Sequence, residues 1–130
     1  MKKVKNWIFI VMFIAVLAII AFFVIINQKA SSLILVDGVV VPSNICSKIP
    51  EVVVIYKNGC PACAVAVPRL QELEQELGKN FKYYDLSITS DAQEVKEKGL
   101  LVQFVPSVII KCKVYVGVRN KEEYKSAIVS

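Results

Sequence analysis

The stretch "YKNGCPACAVAVPRL", residues 56–70, sets two cysteines, a glycine and two prolines where an apolar strand gives way to a helix. Upstream, "EVVVIYK" (51–57) is β-branched and nearly all apolar, the pattern of a strand buried on both faces. Downstream, Cys63, Ala66, Val67, Leu70, Leu73 and Leu77 recur at helical spacing, while Glu72, Glu76 and Lys79 fall elsewhere. The spacing predicts a helix from about Pro61 to Leu77, stopped by Gly78. Pro61 suits the first turn, where its missing N–H has no helical partner to lose.

That position decides the chemistry open to Cys60. A sulfur just ahead of a helix faces unpaired N–H groups and the positive end of the dipole. Both favour thiolate and lower the pKa from about 8.5 toward 7. Cys60 is therefore the candidate nucleophile. Cys63, one turn further in, is close enough to bond it and is the candidate resolving thiol. Gly59 leaves the approach to Cys60 uncluttered. A structural staple and half of a metal site are the competing readings of the pair. The chain has no histidine, which removes Ser-His-Asp and Cys-His nucleophile pairs and imidazole metal sites.

Beyond residue 80, "FKYYDLS" (81–87) reads as a second strand. Ser90-Asp91-Ala92-Gln93 has the form of a capping box opening a short helix that ends at Gly99. "PSVIIK" (106–111) and "VYVG" (114–117) form two strands joined by a tight turn, and Asn120-Lys121-Glu122-Glu123 caps a last helix. The order is β-α-β-α-β-β-α, an α/β fold with one mixed sheet flanked by helices. Strands 51–57 and 81–87 need a crossover and are expected parallel; the last two strands are an antiparallel hairpin. Residues 48–130 are expected as the domain and 27–47 as its linker. In that linker "LILVDGVVV" (33–41) is either a hairpin turning at Asp37-Gly38 or a loose extended arm lying on the domain or the membrane.

Residues 7–26, "WIFIVMFIAVLAIIAFFVII", are apolar throughout. Twenty helical residues extend roughly 30 Å, the thickness of a bilayer's hydrocarbon core. The reading is one transmembrane helix behind a short basic cytoplasmic segment, 1–6; a cleaved signal ending near Ala30-Ser31-Ser32 is the alternative. Lys2, Lys3 and Lys5 before the span, against Lys29 alone after it, keep the N-terminus cytoplasmic and place the domain outside. The expected location is thus the cell membrane, single-pass. Residues 30–130 hold 12 basic and 11 acidic side chains, a balance that offers no surface to nucleic acid.

Over roughly residues 48–130 the chain resembles the thioredoxin-like superfamily. Three features carry the resemblance: Cys60-Pro61-Ala62-Cys63 between strand and helix, Pro68 eight residues after the first cysteine, and Val105-Pro106-Ser107 opening the third strand. The resemblance implies a cis Val105–Pro106 bond, with Val105 and Pro106 binding an extended substrate beside the cysteines. It also implies a protein-disulfide oxidoreductase that needs no cofactor and no metal. Its partners would be protein disulfides or dithiols, plus a membrane redox protein or small thiol. The Pro-x dipeptide between the cysteines, which recurs in glutaredoxins and disulfide oxidases, leans toward oxidation or isomerisation. The chain departs from many thioredoxins at Val54, where they bury a carboxylate. No insertion of the kind that marks dimerising isomerases is present, so a monomer is expected. Lys57 and Asp85 are further candidates near the site, Lys57 otherwise being a solvated lysine.

In such a fold Cys46 and Cys112 fall at the pole away from Cys60. A structural disulfide between them would close a loop of about 65 residues, worth roughly 3–4 kcal/mol in the chain-entropy model. Two free thiols or an electron relay are the alternatives. For the whole chain, the readings that compete with an oxidoreductase are a zinc- or copper-binding module and a non-catalytic envelope scaffold.

Overall fold

The computed structural model describes residues 2–26 and 32–130. The chain divides into two compact units, one ending and the other beginning between Ser31 and Ser32. The first is a single helix, α1 (Lys2–Ile26), none of whose side chains is buried. Its length and composition fit a membrane span, and a signal sequence near the N-terminus has the same properties. It starts five residues before the apolar run and takes in the three lysines.

The second unit is a mixed α/β body. Among the described residues its elements are β1 (Leu33–Leu35), α2 (Ser43–Cys46), β2 (Val52–Tyr56), α3 (Pro61–Leu77), β3 (Lys82–Asp85) and α4 (Thr89–Glu97), followed by β4 (Leu100–Val102), β5 (Ser107–Ile110), β6 (Lys113–Val116) and α5 (Lys121–Val129). The main sheet runs β3-β2-β5-β6. β2 and β3 are parallel and β6 is antiparallel to β5, the two pairings expected from the sequence, and β5 is antiparallel to β2.

β2 is central because its side chains are apolar on both faces. Val52 and Val54 join Leu70, Leu73, Val108, Ile110, Tyr124 and Ile128 in a core under α3 and α5. Val53 and Ile55 point the other way, into a core with Ile109, Tyr84, Val95, Leu35 and Leu100. Gly78, at φ +59°, ends α3 in a Schellman motif, with Gly78 N–H bonded to the Gln75 carbonyl and Lys79 N–H to that of Glu74.

Three expectations are corrected. The Asp37-Gly38 turn exists, but the strands beside it do not pair as a hairpin. Instead Leu33–Leu35 pairs in parallel with β4 in a separate two-stranded sheet, and Val40 bridges to Lys113. Of the expected linker, 27–47, residues 27–31 lie outside the described residues and the rest packs into the body: Leu35, Val41 and Ile45 are buried, and Asp37 Oδ1 accepts hydrogen bonds from Val116 N–H (2.9 Å) and Arg119 Nη2 (2.8 Å). Buried side chains and a paired carboxylate hold this strap where a free arm would gain nothing. Finally, α4 begins at Thr89 without a side-chain cap. Asp91, expected in a capping box, instead accepts the Asp85 N–H at 2.9 Å and ties the helix to the end of β3. At α5 the expected cap is present, Asn120 Oδ1 accepting the Glu123 N–H at 2.8 Å.

At the far end of β2 from the helix junction, Lys111 and Cys112 make the two-residue turn between β5 and β6, both with positive φ (47° and 67°). Cys112 is disulfide-bonded to Cys46, with Cα atoms 5.6 Å apart and a sequence separation of 66.

Candidate functional site

Cys60 is the residue on which α3 is capped. Its backbone is extended (φ −80°, ψ 118°), Pro61 follows in the first turn, and its sulfur accepts the Cys63 N–H at 3.2 Å. The sulfur thus takes the place of a capping oxygen. The turn that delivers it is closed by Cys60 N–H on the Lys57 carbonyl (3.2 Å) and needs Gly59 at φ +82°, a conformation other residues adopt at a cost.

The two thiols sit in different surroundings. Cys60 is half-buried and Cys63 buried, and both are free. Cys60 is held below its ordinary value first by a hydrogen bond from the Cys63 side chain, then, against its burial, by the Cys63 and Ala62 N–H groups. Burial, with the Cys60 sulfur beside it, pushes Cys63 up to about 11. One thiol is primed to ionise and its neighbour is kept protonated.

The Val105–Pro106 peptide bond is cis. The Cys60 thiol donates to the Val105 carbonyl at 3.8 Å. Pro106 is buried, and its carbonyl accepts the Gly117 N–H at 2.9 Å, fixing this loop to the end of β6. Cys60, Cys63, Val105 and Pro106 are therefore brought together. Cys46 and Cys112 are not: they lie where Val52 pairs with Ile110, whereas the site lies where Ile55 pairs with Ser107.

Asp85 braces the site from outside. Its Oδ1 accepts the Asn58 N–H (3.2 Å), the Ser87 N–H (2.9 Å) and the Ser87 hydroxyl, and these bonds, Ser87's first, hold its carboxyl below the usual range. Among the described residues it hydrogen-bonds neither sulfur. Val54 is fully buried in the core beneath α3.

A cleft of about 230 Å³ opens beside both sulfurs, lined by Tyr56, Lys57, Asn58, Gly59, Cys60, Cys63, Ala64, Val67 and Pro68. The sequence singles out Pro68 and Lys57 for other reasons, but gives no sign that Tyr56 and Val67 share a wall with them. Tyr56 is the last residue of β2, and its phenol is raised by burial and by Asp85 and Asp91. Among the described residues no three Cys, Asp or Glu side chains converge as a metal-ligand set. No known family model matches the chain, and neither does any curated protein.

Proposed function

We propose that this chain is a membrane-tethered thiol–disulfide oxidoreductase with a thioredoxin-like fold, acting on exported proteins through Cys60 and Cys63. The observation that carries the reading is the asymmetry of the pair: Cys60 caps α3 with a depressed pKa, while buried Cys63 is raised. That is the division of labour that exchange requires. Cys60 thiolate attacks one sulfur of a substrate disulfide, the substrate S–S bond breaks, and the departing thiolate takes a proton from water. Cys63 then attacks the Cys60 sulfur, the bond from Cys60 to the substrate sulfur breaks, and the Cys63 proton passes by way of water to the departing sulfur. The second substrate thiol leaves, and a Cys60–Cys63 disulfide remains. Two electrons pass from the protein to the substrate. Oxidation of a substrate dithiol runs the same steps in reverse, and the redox partner sets the direction.

The apolar helix supports tethering, with the lysines before it favouring an exported domain. The order of β2 to α5, the cis Val105–Pro106 bond and the Cys60 contact with Val105 support the fold reading. The test is insulin reduction by the full chain in nanodiscs, with dithiothreitol supplying electrons. Turnover above the dithiothreitol background that vanishes in Cys60→Ser is the expected result. In Cys63→Ser a trapped mixed disulfide should accumulate. Equal rates with wild type, Cys60→Ser and buffer overturn the reading. A reduction potential near about −270 mV assigns a reductant, and one near about −120 mV an oxidant.

A further inference from the structure

The Cys60 sulfur meets the Val105 carbonyl, and Cys60 also lines the cleft that takes in Tyr56 and, on α3, Cys63 to Pro68. About 230 Å³ falls short of the roughly 300 Å³ at which small-molecule sites begin. It suits a single large side chain. Its lining includes Ala64, Val67 and Pro68 from the helix and Tyr56 from the end of β2. Lys57, also on the lining, is exposed and, among the described residues, in no ion pair. No carboxylate lines the cleft.

We infer that this cleft is a specificity subsite, which receives a large apolar side chain adjacent to the reactive half-cystine of a polypeptide substrate, with an acidic residue next to it meeting Lys57. A residue bonded to Cys60 has its neighbour within reach of the cleft, and the occupant this lining favours is leucine- or phenylalanine-like. The inference rests on the oxidoreductase reading and narrows its substrate class.

The experiment uses the full chain in nanodiscs, reduced at Cys60 and Cys63, against disulfide-linked dimers of short peptides. The residue before cysteine is Gly, Leu or Phe, preceded by Glu or Lys, and the rate of appearance of free peptide thiol is read. Leu and Phe peptides should react about tenfold faster than Gly peptides, the lower end for an apolar pocket. Glu should outpace Lys by about two- to fivefold, as for an exposed charge pair. Ala64→Phe, an exposed helix position whose new ring fills the cleft, should bring the Leu-to-Gly ratio close to one. Lys57→Glu should invert the Glu-to-Lys preference. Because each readout is a ratio within one variant, a general change in Cys60 reactivity cancels. If every peptide reacts at the same rate, the subsite falls and the oxidoreductase stands. If no peptide reacts, both fall.

Discussion

The N–H of Cys63 points at the sulfur of Cys60 from 3.2 Å, and this single contact makes the first cysteine part of the helix end and the second part of its interior. The two thiols should therefore titrate apart. Iodoacetamide should modify Cys60 with a midpoint below the ordinary value of 9.0, while Cys63 stays unreactive until the pH nears about 11. Mass spectrometry across a pH series reads both. One shared midpoint at the ordinary value would contradict the assignment of roles. The same shifts act on stability in opposite directions. The Cys60 contribution is complete above 9.0 and is lost as pH falls through its depressed folded value. The Cys63 contribution is complete below 9.0 and is lost as pH climbs to about 11.

Leu35 is fully buried although it lies in the strap before the first predicted strand. Leu35→Ala should cost about 2–5 kcal/mol in urea unfolding, as core Leu truncations do. A cost near zero would mean the strap is a linker after all.

Joining Cys46 to Cys112 closes a 66-residue separation. In the chain-entropy model, replacing both by Ala should lower stability by about 4 kcal/mol. The midpoint of chemical denaturation checks this, in a Cys60→Ser background so that other pairings do not form.

Glu76 joins the two helices on one face of the sheet: Lys125 lies 2.8 Å and Lys121 2.9 Å away, and their hydrogen bonds hold its carboxyl down to about 2. Its contribution is therefore present above the ordinary 4.5 and is lost as pH falls toward 2. Glu76→Gln should give a small drop in Tm at neutral pH that shrinks with added salt and disappears by about pH 2. A drop that is unchanged at acid pH would assign the effect to packing.

Legibility in the sequence followed how local the determining physics was. α3 was readable from Pro61 to Leu77 because its start, its apolar stripe and its stop at Gly78 are all written in one continuous stretch. β2 was readable from an unbroken β-branched run. β4 was not, since Leu100-Leu101-Val102 is too short to show a period, and its partner Leu33–Leu35 is remote in the chain. The choice between hairpin and extended arm was open for the same reason: Asp37-Gly38 does encode a turn, but distant partners claim the residues beside it. Of the site, Cys60 and Cys63 were readable from their place at the helix start. The cleft was not, because Tyr56 ends a strand while Ala64, Val67 and Pro68 lie on a helix, and only folding gives them a common wall.

Four cysteines can be joined in pairs in three ways, and the length of β2 rules on which of them this body can hold. Five extended residues put roughly 13 Å between its end Cα atoms, nearly twice the reach of a cystine from one Cα to the other, about 7 Å. Scrambled isomers that cross between the ends are thus barred once the sheet has formed. The strand works as a ruler that proofreads the oxidation of its own chain.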